Sequence, residues 1–211
     1  TASTSLLRKD ESDGPHLIFI PEHPFVINNF LTQVKKIYNK FGRCVVAISE
    51  GIQDKNKKLV SQKIIKKSEY DAHGNIQLSG TGSLGDFLSE KIKINLKLPR
   101  VRADTLGYPQ RCFIGSASEI DQKEAKKIGG FAAKYANKNN NSFSAGILER
   151  KIFNQNYKAQ FIVNSLANVA GKTKTMKPIF YDRKNNTVSK EFLNYALPLI
   201  GKNLIKTKSI I

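Results

Sequence analysis

Two short apolar runs on either side of one amphipathic segment constrain this chain more than any other feature. His16 to Ile20 (HLIFI) is closed by Pro21, and Cys44 to Ile48 (CVVAI) is the second run. Both have the length of a buried strand and lack the polar alternation of a half-solvated one. Between them, from Val26 to Phe41, the residues Phe30, Val34, Ile37, Tyr38 and Phe41 recur at helical spacing. That places them on one apolar face. Gly42 follows where a helix commonly ends. Strand, helix and strand joined by short connections make a βαβ unit, and the predicted class is α/β, a parallel sheet flanked by helices.

The rest of the chain extends this pattern. Residues 53 to 79 are polar and lysine-rich, with the turn cluster Asp71-Ala72-His73-Gly74-Asn75, and read as a surface excursion. Leu84, Phe87, Leu88, Ile92 and Leu96 predict a helix, and Val101 to Leu106 a strand. Ser118 with Asp121 behind it is a helix-start signal. That helix runs to about Asn137, with Ala125, Ile128, Ala132, Ala133 and Tyr135 in or near its packed face. Ser142 to Leu148 and Tyr157 to Val163 read as strands, and Val188 to Leu197 as a helix anchored by Phe192 and Tyr195.

At 211 residues and 40% hydrophobic content the chain can bury a real core, as one domain or two small ones. No apolar run approaches the roughly 18 residues of a membrane span, and the opening TASTSLLRKDESDG has no signal-peptide core. The chain starts at Thr1 and its single methionine is Met176, which predicts a processed chain or an excerpt of a longer one. Cys44 and Cys112 match no metal-ligand spacing and read as reduced, buried thiols, with a disulfide or a reactive thiol as the alternatives. His16, His23 and His73 are scattered, so no metal site is argued. The net charge of +18 invites a nucleic-acid reading. However, the lysines are spread along the chain, without an aromatic ribonucleoprotein pattern, zinc-finger spacing or a basic region feeding a zipper. Most read as solvated faces, and neither nucleic acid nor membrane is an expected partner.

Three motifs carry candidate chemistry. Gly80-Thr81-Gly82-Ser83-Leu84-Gly85 fits GxGxxG, with Asp104 about 20 residues on. The strand before it is weak and Asp104 lies among arginines, so a flexible helix entry is favoured over a dinucleotide site. Ser49-Glu50-Gly51 follows the second strand, where open α/β sheets bind ligands. Glu50 is either a site residue or a solvated loop acid. Pro99 to Arg111 (PRVRADTLGYPQR) gathers Arg100, Arg102 and Arg111 around a Gly-Tyr-Pro turn. Arginine forks grip phosphate oxygens in pairs, so the segment suggests an anion site; the alternative is arginines paired with acids such as Asp104.

The run Arg102-Ala103-Asp104-Thr105-Leu106-Gly107-Tyr108-Pro109-Gln110-Arg111 resembles the fructose 6-phosphate loop of phosphofructokinases. Val45 to Gly51 resembles that family's strand ending in a substrate-binding glutamate, and His16 to Glu22 its earlier strand end. The likeness runs through Ser118 to Ala133 and on to Pro198-Leu199-Ile200-Gly201. ATP-using members usually have His where Tyr108 stands and two glycines after the arginine. Tyr108, and Cys112-Phe113 after Arg111, resemble the pyrophosphate-using branch instead.

The resemblance implies a Rossmann-like fold and the C-terminal half of an enzyme that transfers phosphate from pyrophosphate to the 1-hydroxyl of fructose 6-phosphate. It implies that 1–111 is the first part of the sugar-phosphate domain, that 112–165 packs on an N-terminal donor-binding domain, and that 166–211 returns to the substrate domain. It assigns Glu50 to sugar hydroxyls, and Tyr108, Pro109, Gln110 and Arg111 to the substrate, with the 6-phosphate on Tyr108 and Arg111. Arg102 resembles the arginine that reaches into a neighbouring subunit, which implies a homo-oligomer. The family's catalytic base and its magnesium-holding loop have no counterpart in this sequence, so these 211 residues alone are expected not to turn over and Mg2+ ligands are expected outside them. A cytoplasmic, glycolytic setting follows. An ATP-dependent enzyme, or a non-catalytic subunit that binds sugar phosphate, are the alternatives.

Overall fold

The computed structural model describes residues 1–64, 83–107, 115, 117–153 and 156–201. Its first secondary structure beyond a 3-10 turn at Ala2–Leu7 is the βαβ unit: β1 (Leu17–Phe19), α1 (Ile27–Phe41) and β2 (Val46–Ile48). The strands pair in parallel, Leu17 with Val46, Ile18 with Ala47 and Phe19 with Ile48. All three residues of β1 are buried, so both its faces are covered, as the unbroken apolar run requires. Helix α1 turns Phe30 and Val34 inward and ends at Gly42, whose φ of +68° suits a glycine and whose N–H donates to the Tyr38 carbonyl at 2.8 Å. Helix α2 (Ser83–Leu96) completes the layer with buried Leu84, Leu88 and Ile92.

The chain divides into two units, Thr1–Cys112 with Lys177–Lys190, and Phe113–Met176 with Glu191–Ile211. In the first unit the return segment adds a small antiparallel pair, β5 (Tyr181–Asp182) and β6 (Thr187–Val188). It satisfies the backbone of β1 on the side away from β2. Ile18 N–H donates to the Asn186 carbonyl at 2.7 Å, and the buried Tyr181 hydroxyl donates to the Ile18 carbonyl at 2.7 Å. Buried backbone groups must be paired, and this is where those of Ile18 go.

The second unit is built on α3 (Glu119–Ala136) and the antiparallel strands β3 (Phe143–Phe153) and β4 (Asn156–Ser165). A helical turn α4 (Leu166–Val169) and helix α5 (Lys190–Ile200) complete it. Ser118 caps α3 by accepting from Asp121 N–H at 3.2 Å, while its hydroxyl donates to the Leu199 carbonyl at the end of α5 at 2.5 Å. One side chain thus serves an orphan donor of one helix and an orphan acceptor of another. Phe131 against Phe161 and Tyr135 against Phe143 pack α3 on the hairpin, with ring centroids 5.9 and 4.7 Å apart.

Two expectations need correction. Residues 101 to 106 are not a strand. The segment has no ladder partner among the described residues, and its Arg102 and Asp104 are exposed. On α3, Ala125 and Ala133 are exposed, and the residue that α3 buries is Glu124. Of the remaining elements, β3 runs on to Phe153 where the sequence predicts an end at Leu148, and Val188, predicted to open the last helix, lies in β6; the others stand within three residues of their expected bounds.

A pH effect is built into the start of β1. His16 is buried; its Nδ1 accepts from Val45 N–H at 3.0 Å and its Nε2 lies 3.0 Å from the Ser12 carbonyl. That pairing requires the neutral ring with the proton on Nε2. Burial pushes the His16 pKa below the usual imidazole range, and Arg8 and Arg43 push the same way. His23 is shifted down as well, by burial and by Arg183. A histidine with a depressed folded-state pKa contributes stability that is complete above its unfolded value, about 6.5, and drains as pH falls below it. The urea midpoint is expected to fall between pH 7.5 and 5.5, and part of that fall should be absent in His16→Gln. An identical fall in the variant would remove His16 as its source.

Candidate functional site

Because β1 and β2 run parallel, their carboxyl ends open on the same edge, where ligands of open α/β sheets sit. The ladder extends one residue past β2, with Ser49 N–H donating to the Phe19 carbonyl at 3.0 Å. The chain then turns sharply. Gly51 N–H donates to Ser49 Oγ at 3.3 Å, and Ile52 N–H to the Ser49 carbonyl at 3.3 Å. Glu50 sits at the apex of that turn. A Cβ on Gly51 would lie in ordinary contact with Pro21, 3.4 Å from its Cγ, so the turn after β2 and the residues after β1 lie side by side. Fully buried Ile52 anchors the far side, and Phe25 N–H donates to the Gln53 carbonyl at 2.7 Å. Glu50 is half-buried, and its carboxylate has no hydrogen bond or ion pair with another described residue. An ionised carboxylate only accepts hydrogen bonds, so a rigid turn of this kind suits a ligand rich in hydroxyl donors.

The arginine segment belongs to the same unit. Val101 packs against the core, while Arg100, Arg102 and Asp104 are exposed. Neither arginine forms an ion pair with Asp104 among the described residues, so the charges are not spent on each other there. Gly107 has φ of +49°, a conformation that suits a glycine. Tyr108, Pro109, Gln110 and Arg111, the remaining substrate residues expected from sequence, lie outside the described residues, as do Cys112, His73 and Gly80 to Gly82 of the GxGxxG run.

What positions the segment is a glycine whose role the sequence did not disclose. Gly85 is the third residue of α2, and a Cβ built on it would meet the Ala103 Cβ at 2.9 Å. The last glycine of the run therefore serves close approach of the arginine segment to α2. Gly85→Ala should displace that segment, costing about 1–3 kcal/mol of stability by overpacking. It should also raise KM for a ligand bound there; an unchanged KM in a folded variant would separate the segment from binding.

Other chemistry is sparse in what is described. Cys44 is a free, half-buried thiol whose pKa burial pushes up to about 11, so it is protonated and unreactive at neutral pH. Among the described residues no group of three or more His, Cys, Asp or Glu could hold a metal ion, and no helix is long and apolar enough to cross a membrane.

No protein-family model matches the chain. Among curated proteins it is 41% identical over 204 residues to pyrophosphate–fructose 6-phosphate 1-phosphotransferase of Rhodospirillum rubrum, covering 97% of this chain and 50% of that protein. It is 31% identical over 199 residues to the protein of the same name from Xanthomonas campestris, covering 94% and 46%. Among solved structures it superposes on a pyrophosphate-dependent phosphofructokinase from Nitrosospira multiformis with a TM-score of 0.73 and 22% identity, covering 99% of this chain and 46% of the other. The fold is of phosphofructokinase type, and the chain spans about half the length of the relatives it matches.

Proposed function

We propose that this chain, a relative of the pyrophosphate-dependent phosphofructokinases, supplies the sugar-phosphate side of phosphoryl transfer from pyrophosphate to fructose 6-phosphate. The observation that carries the reading is the placement of Glu50, at the apex of a braced turn beyond the carboxyl end of a parallel strand. Glu50 accepts from hydroxyls of the sugar and fixes its orientation. Tyr108 and Arg111 hold the 6-phosphate, with Pro109 and Gln110 shaping the turn between them. Arg102 contributes to the site of a neighbouring subunit in a homo-oligomer.

In-line transfer to the 1-hydroxyl yields fructose 1,6-bisphosphate, a glycolytic step in the cytoplasm. Such transfers depend on positioning and on neutralising charge rather than on covalent chemistry by the protein. Mg2+ supplies part of that neutralisation when bound. In this reading its ligands, like the catalytic base, come from a part of the enzyme other than these 211 residues, as the resemblance to the phosphofructokinases implies.

The test is an assay of the complete gene product containing this chain for fructose 1,6-bisphosphate, with Mg2+ and either pyrophosphate or ATP. Product with pyrophosphate supports the reading. Product with ATP alone keeps the sugar site and overturns the donor. No product with either, together with sugar-phosphate binding that needs Glu50 and Arg111, would make the protein a non-catalytic binding subunit.

A further inference from the structure

The second unit contains a buried ion cluster that the proposed reaction does not use. Glu124 on α3 is 5% exposed. Arg150 on β3 donates to it through Nε (3.3 and 3.2 Å to the two carboxylate oxygens) and through Nη2 (2.8 Å), a forked grip on one carboxylate. Arg150 Nη1 also donates to the Tyr195 hydroxyl on α5 at 2.6 Å. Three elements, α3, β3 and α5, therefore meet at one guanidinium.

Arg150 reaches this cluster only because β3 is irregular. The register shifts between the Ile147–Phe161 and Glu149–Gln160 pairs, which leaves Leu148 as an extra residue, half exposed. Up to the bulge, Phe143, Ala145 and Ile147 share a face with Phe161, which packs on Phe131 of α3. After it, Arg150 stands opposite Ala159 and so falls on that same face. In an unbulged ladder Glu149 would pair with Ala159 instead. A second carboxylate would then point toward buried Glu124, and Arg150 would point away from it.

We propose that the Glu124–Arg150–Tyr195 cluster locks the register of the β3–β4 hairpin, selecting the bulged pairing over an unbulged one that the backbone could also form. The slipped ladder satisfies as many backbone groups over the strand ends, so hydrogen bonding alone distinguishes the two poorly. The ion pair distinguishes them sharply, because an unpaired buried carboxylate is far more costly than a paired one is stabilising.

Disulfide trapping reads the register in the complete protein once Cys44 and Cys112 are replaced by serine. Lys151→Cys with Lys158→Cys reports the bulged pairing, and Lys151→Cys with Tyr157→Cys the unbulged one. In the parent only the first pair should close efficiently. In Glu124→Leu/Arg150→Leu the second should close at least about tenfold more than in the parent, and deletion of Leu148 should abolish that gain. A folded double variant whose second pair closes no faster than the parent's overturns the proposal. If the double variant does not fold, Arg150→Lys, which keeps the charge but loses the fork, is expected to give a smaller gain in the second pair; none would overturn the proposal equally.

Discussion

Glu50→Gln is expected to lower kcat/KM for fructose 6-phosphate by about 10- to 150-fold, the equivalent of about 1.5–3 kcal/mol for one charge-assisted hydrogen bond. The exchange is nearly isosteric, so the turn formed by Ser49, Gly51 and Ile52 remains, since its hydrogen bonds come from backbone groups and the Ser49 hydroxyl. What is lost is an anionic acceptor, and the amide that replaces it brings a donor toward hydroxyls that also need acceptors. The KM for pyrophosphate should move much less than that for the sugar phosphate. The check is a pair of substrate titrations on the complete protein, with the urea midpoint as a control. A sugar-phosphate KM and kcat within twofold of the parent would return Glu50 to the status of a solvated loop acid.

How much of this could be read from residues alone depends on where the information lay. Helix α1 was legible because its burial pattern is local: Phe30 and Val34 turn inward as their spacing demands, and Gly42 takes the positive φ that a terminal glycine permits. The start of α3 was legible for the same reason, since Ser118 and Asp121 bond across one turn. The placement of Glu50 followed from strand order. What could not be read required partners distant in sequence. Residues 101 to 106 have the apolar ends of a strand, but a strand exists only where a ladder partner lies beside it. The small β5–β6 pair was missed because each strand has two residues, although Asn185-Asn186 between Tyr181 and Val188 is a turn signal. Glu124 defeated the apolar rule because its partner Arg150 is 26 residues away and reaches it through a bulge that no local pattern announces.

The core beneath the site can be tested by one substitution. Phe30→Ala should cost about 3–5 kcal/mol of stability, the range for truncating a buried aromatic. Phe30 is 1% exposed and meets Phe19 of β1 and Phe25 at ring-centroid distances of 5.4 Å each, so three rings close on one another. Removing Phe30 strips contacts both from the strand that leads to Pro21 and from Phe25, whose N–H donates to the Gln53 carbonyl. Against a total of about 5–15 kcal/mol for a domain, this is a large fraction. Ile94→Ala is the control: Ile94 is 63% exposed on α2 and should cost under about 0.5 kcal/mol. Urea or thermal unfolding of the two variants should therefore separate widely. If Phe30→Ala shifted the midpoint no further than Ile94→Ala, the apolar face of α1 would not be the one packed on β1. The Glu50 turn would then rest on a different support.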